Sequence, residues 1–333
     1  MRYSLTALIC IAAMFATAQT DLKVSIQFDD NPYNHNMHIA SDGHFFYTIN
    51  GGGYTVGQIS KFKLDGTLIG TYPMQIDGRG MCYNKADDHF YVSTYLGDIA
   101  RIDDIEHGKF TVLLKGAMQN EQCSFALSCD GKSFYDFYQG HLRIHDLKTG
   151  AVTKTLTGLN YGRGDVQIPN FGGDACVAVD VNHIYTWNSD TRKVFIYDMN
   201  GKYESSYQLE KGDNGHSLSI ANGFLFVSRD GSYNTGTWYG YKINALMDCG
   251  SPMNISFFEN PVAGSYSIGG EIDSIQVTNA AGDIILRMNS SQTPFGKGVQ
   301  YHSVDLVDLA AGEYSIIIYD IEGGETFESV TIE

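Results

Sequence analysis

What this chain lacks narrows it first. Proline is scarce, at 6 of 333 residues, and 22 Lys and Arg stand against 38 Asp and Glu, a formal net charge of -16. That balance repels phosphate backbones and anionic membrane surfaces, so no nucleic-acid partner is expected. Beyond the N-terminus no run is apolar enough to cross a membrane, which takes about 20 residues. No Cys-x-x-Cys or Cys/His zinc spacing occurs, and there is no Gly-x-Ser-x-Gly elbow. Gly51-Gly52-Gly53 is followed by neither Lys-Ser/Thr nor a helix, so it is not a phosphate loop; flexibility or close backbone approach is its reading.

What is plentiful is glycine (37 residues) and aromatics (13%), the composition of a turn-rich, aromatic-packed β protein and not of a disordered one. The first 18 residues carry one early cation (Arg2), an apolar stretch from Leu5 to Phe15 and the small-x-small ending Ala16-Thr17-Ala18. This is the pattern of a secretory signal peptide, and it predicts a secreted or surface-attached protein with no transmembrane segment. Removing Cys10 leaves Cys82, Cys123, Cys129, Cys176 and Cys249, an odd set for an oxidising compartment, so at least one thiol stays free or pairs between chains. Cys82 and Cys176 read as small buried hydrophobes. Cys123 and Cys129, at the two ends of one predicted strand, are about 20 Å apart and cannot bridge.

The organising stretch is Ser124 to Gly150, two hairpins in series with turns at Asp130-Gly131 and Thr149-Gly150. Asp-Gly between strand-like runs is a strong hairpin signal, because both central residues of a type I′ turn need φ > 0. The unit recurs with first-turn anchors Asp42, Asp88, Asp130, Asn182 and Asn222, a period of about 40 to 50 residues, as for a four-stranded propeller blade. Each unit has a short apolar inner strand and a bulky aromatic second strand, which suits radial repetition. The fifth lacks a fourth strand, and Leu22 to Phe28 is available to supply it. The expected fold is all-β: a propeller over residues 19–247, with five blades and a sixth in Gly158 to Gly173 as the alternative. A linker (248–254) and a small Ig-like sandwich (255–333) follow, with turns at Gly269-Gly270, Ala281-Gly282 and Gly323-Gly324.

In a propeller, the loops leading into the inner strands and those joining second to third strands meet on one face. That places His38, Tyr54, Arg79, Tyr95, Glu121, Tyr138, Asp174, Trp187, His216, Arg229 and Trp238 as candidate ligand-binding residues. Charged groups ringed by aromatics suit a glycan or a protein loop. No cofactor and no metal are expected on this reading. The alternative is a lactonase- or lyase-like enzyme: His38 and His216, in equivalent places of the first and fifth units, with Asp213 or Asp174 would serve as acid and base or hold a divalent ion. Arg163-Gly164-Asp165 reads as a chance tripeptide.

Two resemblances sharpen these expectations. The "D-G-x-hydrophobic-aromatic-V" second strands and the third strand of Val194 to Gly201 resemble bacterial propellers of the NHL, YVTN and lactonase-like kind; no GH…WD pattern occurs. The tail, with Glu259-Asn260-Pro261-Val262, Ile275 to Ile285 and Leu306 to Tyr319, resembles the C-terminal sorting domain of the Bacteroidetes type IX secretion system. That resemblance implies export through the type IX machinery and, often, removal of the tail with surface attachment. The acidic ending Glu325 to Glu333 departs from the family's Lys-containing last strand.

Overall fold

The computed structural model describes residues 20–31, 33, 35–159, 175–231, 234–243, 246, 256–259, 265–270, 272–289, 300–306, 309–320 and 325–332. The signal-peptide segment, the linker, Arg163-Gly164-Asp165 and Asp174 lie outside them. Two short strands open the chain, β1 (Thr20–Leu22) and β2 (Ile26–Asp30). Blade one is β3 (His35–Ser41), β4 (Phe45–Gly51), β5 (Gln58–Lys63) and β6 (Leu68–Pro73). Blade two is β7 (Gly78–Asn84), β8 (His89–Thr94), β9 (Ile99–Asp104) and β10 (Lys109–Leu114). Blade three is β11 (Phe125–Leu127), β12 (Ser133–Tyr138), β13 (His141–Asp146) and β14 (Val152–Thr157). Blade four is β15 (Val177–Val179), β16 (His183–Asn188), β17 (Lys193–Asp198) and β18 (Tyr203–Leu209), and blade five contributes β19 (Ser219–Ala221), β20 (Phe224–Arg229) and β21 (Gly236–Tyr241). Each sheet is an antiparallel meander.

The ring closes with the N-terminal segment. β2 pairs antiparallel with β21 as the fourth strand of blade five, Phe28 opposite Trp238, while β1 adds to blade four parallel to β18. The closing strand therefore starts later than expected, at Ile26, and the earlier residues serve another blade. Inner strands touch in the order β3, β7, β11, β15, β19 and back to β3. Among the described residues β11 and β15 are neighbours and the inner strands form a ring of five; residues 160–173, most of the stretch expected as an alternative sixth blade, lie outside the described residues.

Each seam between blades has its own apolar core. Ile49, Met81 and Phe90 fill the first seam and Phe125, Phe134 and Tyr91 the second. Tyr135, Phe137 and Ile184 fill the third, Trp187, Leu225 and Tyr241 the fourth, and Phe28, Phe46, Phe226 and Trp238 the fifth. Small inner strands and aromatic second strands are what this geometry asks for, since the gap between blades widens away from the axis. Around the axis the inner strands enclose a narrow channel of about 50 Å³ lined by His38, Cys82, Ala126, Val177 and Ser219.

The turns joining first to second strands repeat one device. Asp42 accepts the backbone N–H groups of His44 and Phe45, each at 2.8 Å, and the Tyr47 hydroxyl at 2.9 Å. Asp180 accepts Asn182 and His183 N–H at 2.7 and 2.6 Å and the Tyr185 hydroxyl at 2.6 Å. In blade two the Tyr91 hydroxyl donates to Asp87, not Asp88, at 2.6 Å. The turns joining third to fourth strands repeat another: Asp65, Asp146 and Asp198 accept the N–H of Thr67, Thr149 and Asn200, with Gly66, Gly150 and Gly201 at positive φ. Gly66 is constrained twice, because a Cβ there would also meet Phe28 of the closing strand at 2.5 Å.

The tail forms two further sheets. One holds β22 (Ser256–Glu259), β23 (Ser265–Gly270) and β26 (Gln300–Asp305); the other holds β25 (Ile284–Asn289), β24 (Ile272–Asn279), β27 (Gly312–Asp320) and β28 (Glu325–Ile332). Val304 packs with Ile275, Val277, Ile316 and Ile318, so the two sheets share a core as a sandwich. The Ala281-Gly282 turn is present, with Asn279 Oδ1 accepting the N–H of Ala281 and Asp283 at 3.0 and 2.9 Å. The Gly269-Gly270 turn is not: both glycines end β23, paired with Tyr301 and Gln300. Gly323-Gly324 lies outside the described residues.

Among the described residues Cys82, Cys123 and Cys176 form no disulfide, Cys123 and Cys176 being buried and Cys82 half-buried, while Cys129 is disulfide-bonded. Burial pushes the Cys82 thiol up to about 12 and the Cys123 thiol well above its usual value, so both are poor nucleophiles. No helix among the described residues is long and apolar enough to cross a membrane.

Candidate functional site

The loop face, opposite the Asp turns, gathers charged groups from blades one, two and five. Arg79, at the start of β7, is buried yet ionised, so its donors must be satisfied locally. Nη1 pairs with Asp77 and donates to the Gly78 carbonyl at 2.8 Å, and Nε donates to Gln122 Oε1 at 3.2 Å. The guanidinium carbon lies 4.8 Å from the centre of the Tyr95 ring, a cation–π geometry. Tyr95 in turn donates its hydroxyl to Glu121 at 3.1 Å, a bond to a carboxylate that raises the phenol above its ordinary value. The triple glycine packs on this ion pair: Gly52 N–H donates to Asp77 at 2.9 Å, and a Cβ on Gly51 would collide with Arg79. Close backbone approach is thus the reason for glycine at position 51.

A second pair stands beside the ring closure. His35 Nδ1–H donates to Asp230 Oδ2 at 2.7 Å, and the carboxylate holds the imidazolium above its usual value. His216 goes the other way: enclosure, then the positive charge of Arg79, depresses it to about 4. Its Nδ1 is buried with no hydrogen-bond partner among the described residues. Asn214 locks this corner, donating to the Asn36 carbonyl and to Ser228 Oγ and accepting His216 N–H at 3.0 Å.

Of the residues expected here from sequence, Arg79, Tyr95, Glu121 and His216 do meet, and Tyr54, 42% exposed, joins them through its interaction with Asp77 and Arg79. Others are elsewhere. Trp187 and Trp238 are wholly buried, their indole N–H groups donating to Asn214 O at 3.0 Å and Asp30 Oδ2 at 3.1 Å, so they are core and not ligand surface. His38 is buried on the axial channel, where Nδ1–H donates to the Met81 carbonyl at 2.7 Å, and desolvation lowers it to about 4. It does not share a site with His216. A backbone bulge between Asn36 and His38 changes the facing of that strand, which is why the equivalence read from sequence fails. Tyr138 is half-buried in the seam of blades two and three. Arg229 is exposed, between blades four and five, and Asp174 lies outside the described residues.

His35 and Asp230 were not legible beforehand. Asp230 follows Arg229 in the loop joining second to third strands and was not among the candidates, and His35 precedes the predicted inner strand. Among the described residues no group of three or more His, Cys, Asp or Glu has the geometry to hold a metal ion.

No family model matches the chain, and no curated protein matches it. Among solved structures, the crystal structure of Myxococcus xanthus glutaminyl cyclase aligns with a TM-score of 0.48 at 9% identity, over 67% of this chain and 97% of that one.

Proposed function

We propose that this chain is an exported β-propeller that binds a polar ligand, a glycan or a protein loop, on its loop face, with the C-terminal sandwich as its sorting domain for the type IX machinery. The observation that carries the binding reading is the stack of Tyr95 on Arg79 with Glu121 on the Tyr95 hydroxyl, beside the exposed ring of Tyr54. Flat apolar faces next to a fixed carboxylate are suited to a molecule that offers both C–H surface and hydroxyls. Secretion rests on the N-terminal segment and the tail resemblance.

The test is retention of the purified chain on a glycan panel. Wild type is expected to bind a subset, and Tyr95→Ala and Tyr54→Ala to lose it without a change in melting temperature; retention that survives both substitutions would overturn the reading. One observation favours a second reading, an enzyme: His35 and His216, on the same face, have proton affinities pushed in opposite directions, as an acid–base pair requires. Turnover in a lactone and ester panel, with a bell-shaped pH profile abolished by His216→Asn, would establish it in place of the binding module.

A further inference from the structure

The loop face continues past the axis into an open cleft of about 500 Å³ at the seam of blades four and five. In a chain of net charge -16, this cleft collects three cations: Arg192 from the β16–β17 loop, Lys211 from the loop after β18, and Arg229 at the end of β20. Among the described residues none has a carboxylate within ion-pair distance, whereas Arg79 and Arg101 are each paired with an aspartate. Their internal bonds are to neutral groups. Arg192 donates to the Glu210 carbonyl at 2.7 Å, Arg229 to Thr237 Oγ1 at 3.1 Å, and Lys211 to Gln27 Oε1 at 3.0 Å. Lys211 Nζ also sits 5.3 Å over the Tyr239 ring, which underlies the cleft. These bonds fix the direction of the three side chains and leave each with further N–H donors.

Two carboxylates, Asp190 and Asp213, line the same cleft. A site for a bare anion gains nothing from them. A site for an acidic sugar uses both kinds of group, cations for the oxyanion and carboxylates for ring hydroxyls. The volume is several times that of a lone oxyanion and lies within the usual range of small-molecule sites, about 300–1,000 Å³. The cleft also adjoins the axial cluster, since Asp213 accepts the N–H of Asp230, the partner of His35.

We infer that the loop face takes an acidic saccharide, its carboxylate held by Arg192, Lys211 and Arg229 in the cleft between blades four and five. This deepens the binding reading and rests on it. The test is titration of the purified chain with tetragalacturonic acid, the neutral galactotetraose, and sodium sulfate, for wild type, the double variant Arg192→Gln/Arg229→Gln, and Tyr95→Ala. Melting temperatures are taken in parallel, and glutamine at two exposed positions is expected to leave them unchanged. The acidic tetramer is expected to bind about tenfold or more tighter than the neutral one and to lose about tenfold in the double variant. Its affinity is also expected to weaken with added salt.

Equal affinity for the two tetramers, an unaffected double variant, or no binding of the acidic tetramer would overturn the inference, as would sulfate alone binding as tightly and displacing it. Retention of the neutral tetramer that depends on Tyr95 alone sinks the cleft and leaves the axial site standing. Acidic binding that ignores Tyr95→Ala does the reverse.

Discussion

On the turn face, Asp42, Asp87 and Asp180 each accept a tyrosine hydroxyl from the second strand of their own blade. On the loop face no blade copies another: blade two offers Arg79 and Tyr95, blade one His35 with Asp230 of blade five, and blades four and five an open cationic cleft. Groups that recur in blade after blade answer a need every blade has, which is to satisfy backbone donors at a tight turn. Groups that occur once answer no such need. The turn face thus carries stability, and the proposed recognition falls on the loop face. Blades three and five mark the boundary of the rule: Asp130 of blade three accepts the Ser128 hydroxyl and the Lys132 N–H at 2.6 and 3.1 Å, and blade five has Asn222-Gly223 at its turn and Phe226 where tyrosine would stand.

Four measurements would sharpen or break that division. The largest effect is expected at the closing strand, which belongs to neither face: Phe28→Ala empties a ring packed against Phe46, Phe62 and Phe226 and should cost about 3–5 kcal/mol in urea unfolding. A loss below about 1 kcal/mol would mean that closure by β2 contributes little.

Next is pH. His38 is held neutral inside the protein, depressed from 6.5 to about 4, so the unfolded chain binds the proton first. Stability from this group is complete above pH 6.5 and is lost as pH falls toward 4, on the order of 3 kcal/mol in full. Unfolding of wild type and His38→Asn at pH 7.5 and 4.5 should show the steeper decline in wild type; parallel curves would remove His38 from the account. His35 has the opposite sign. Its raised proton affinity stabilises below its unfolded value and is lost as pH rises through the folded one, so His35→Asn should matter more in acid than at pH 8.

Smaller again is the turn clasp. Asp180→Ala strands two backbone donors and a buried phenol and should cost about 2–3 kcal/mol with ligand retention intact at temperatures where the variant is folded. Last, Tyr95→Ala should change stability by less than about 1 kcal/mol while reducing ligand retention about tenfold. If Asp180→Ala abolished binding, or Tyr95→Ala unfolded the protein, the two faces would not differ as described.

The amino-acid sequence by itself determined the architecture, because hairpin turns and aromatic second strands are local signals and they recur. Asp130-Gly131, Asn222-Gly223 and Asn200-Gly201 mark hairpins wherever they occur, and five repeats of one sheet have few ways to bury both faces. The missing fourth strand of blade five and its supply from the N-terminus were legible for the same reason: four strands were needed and three were present. Tertiary structure alone decided which polar and aromatic residues stand on the loop face and which are core. Trp187 and Trp238 look like recognition residues in one dimension and are core in three, because facing depends on strand twist and on bulges such as that at Asn36/His38. His35 finds Asp230 across 195 positions, and Arg192, Lys211 and Arg229 meet only because blades four and five lie side by side. Pairings between blades join residues remote in sequence, and no local pattern encodes them.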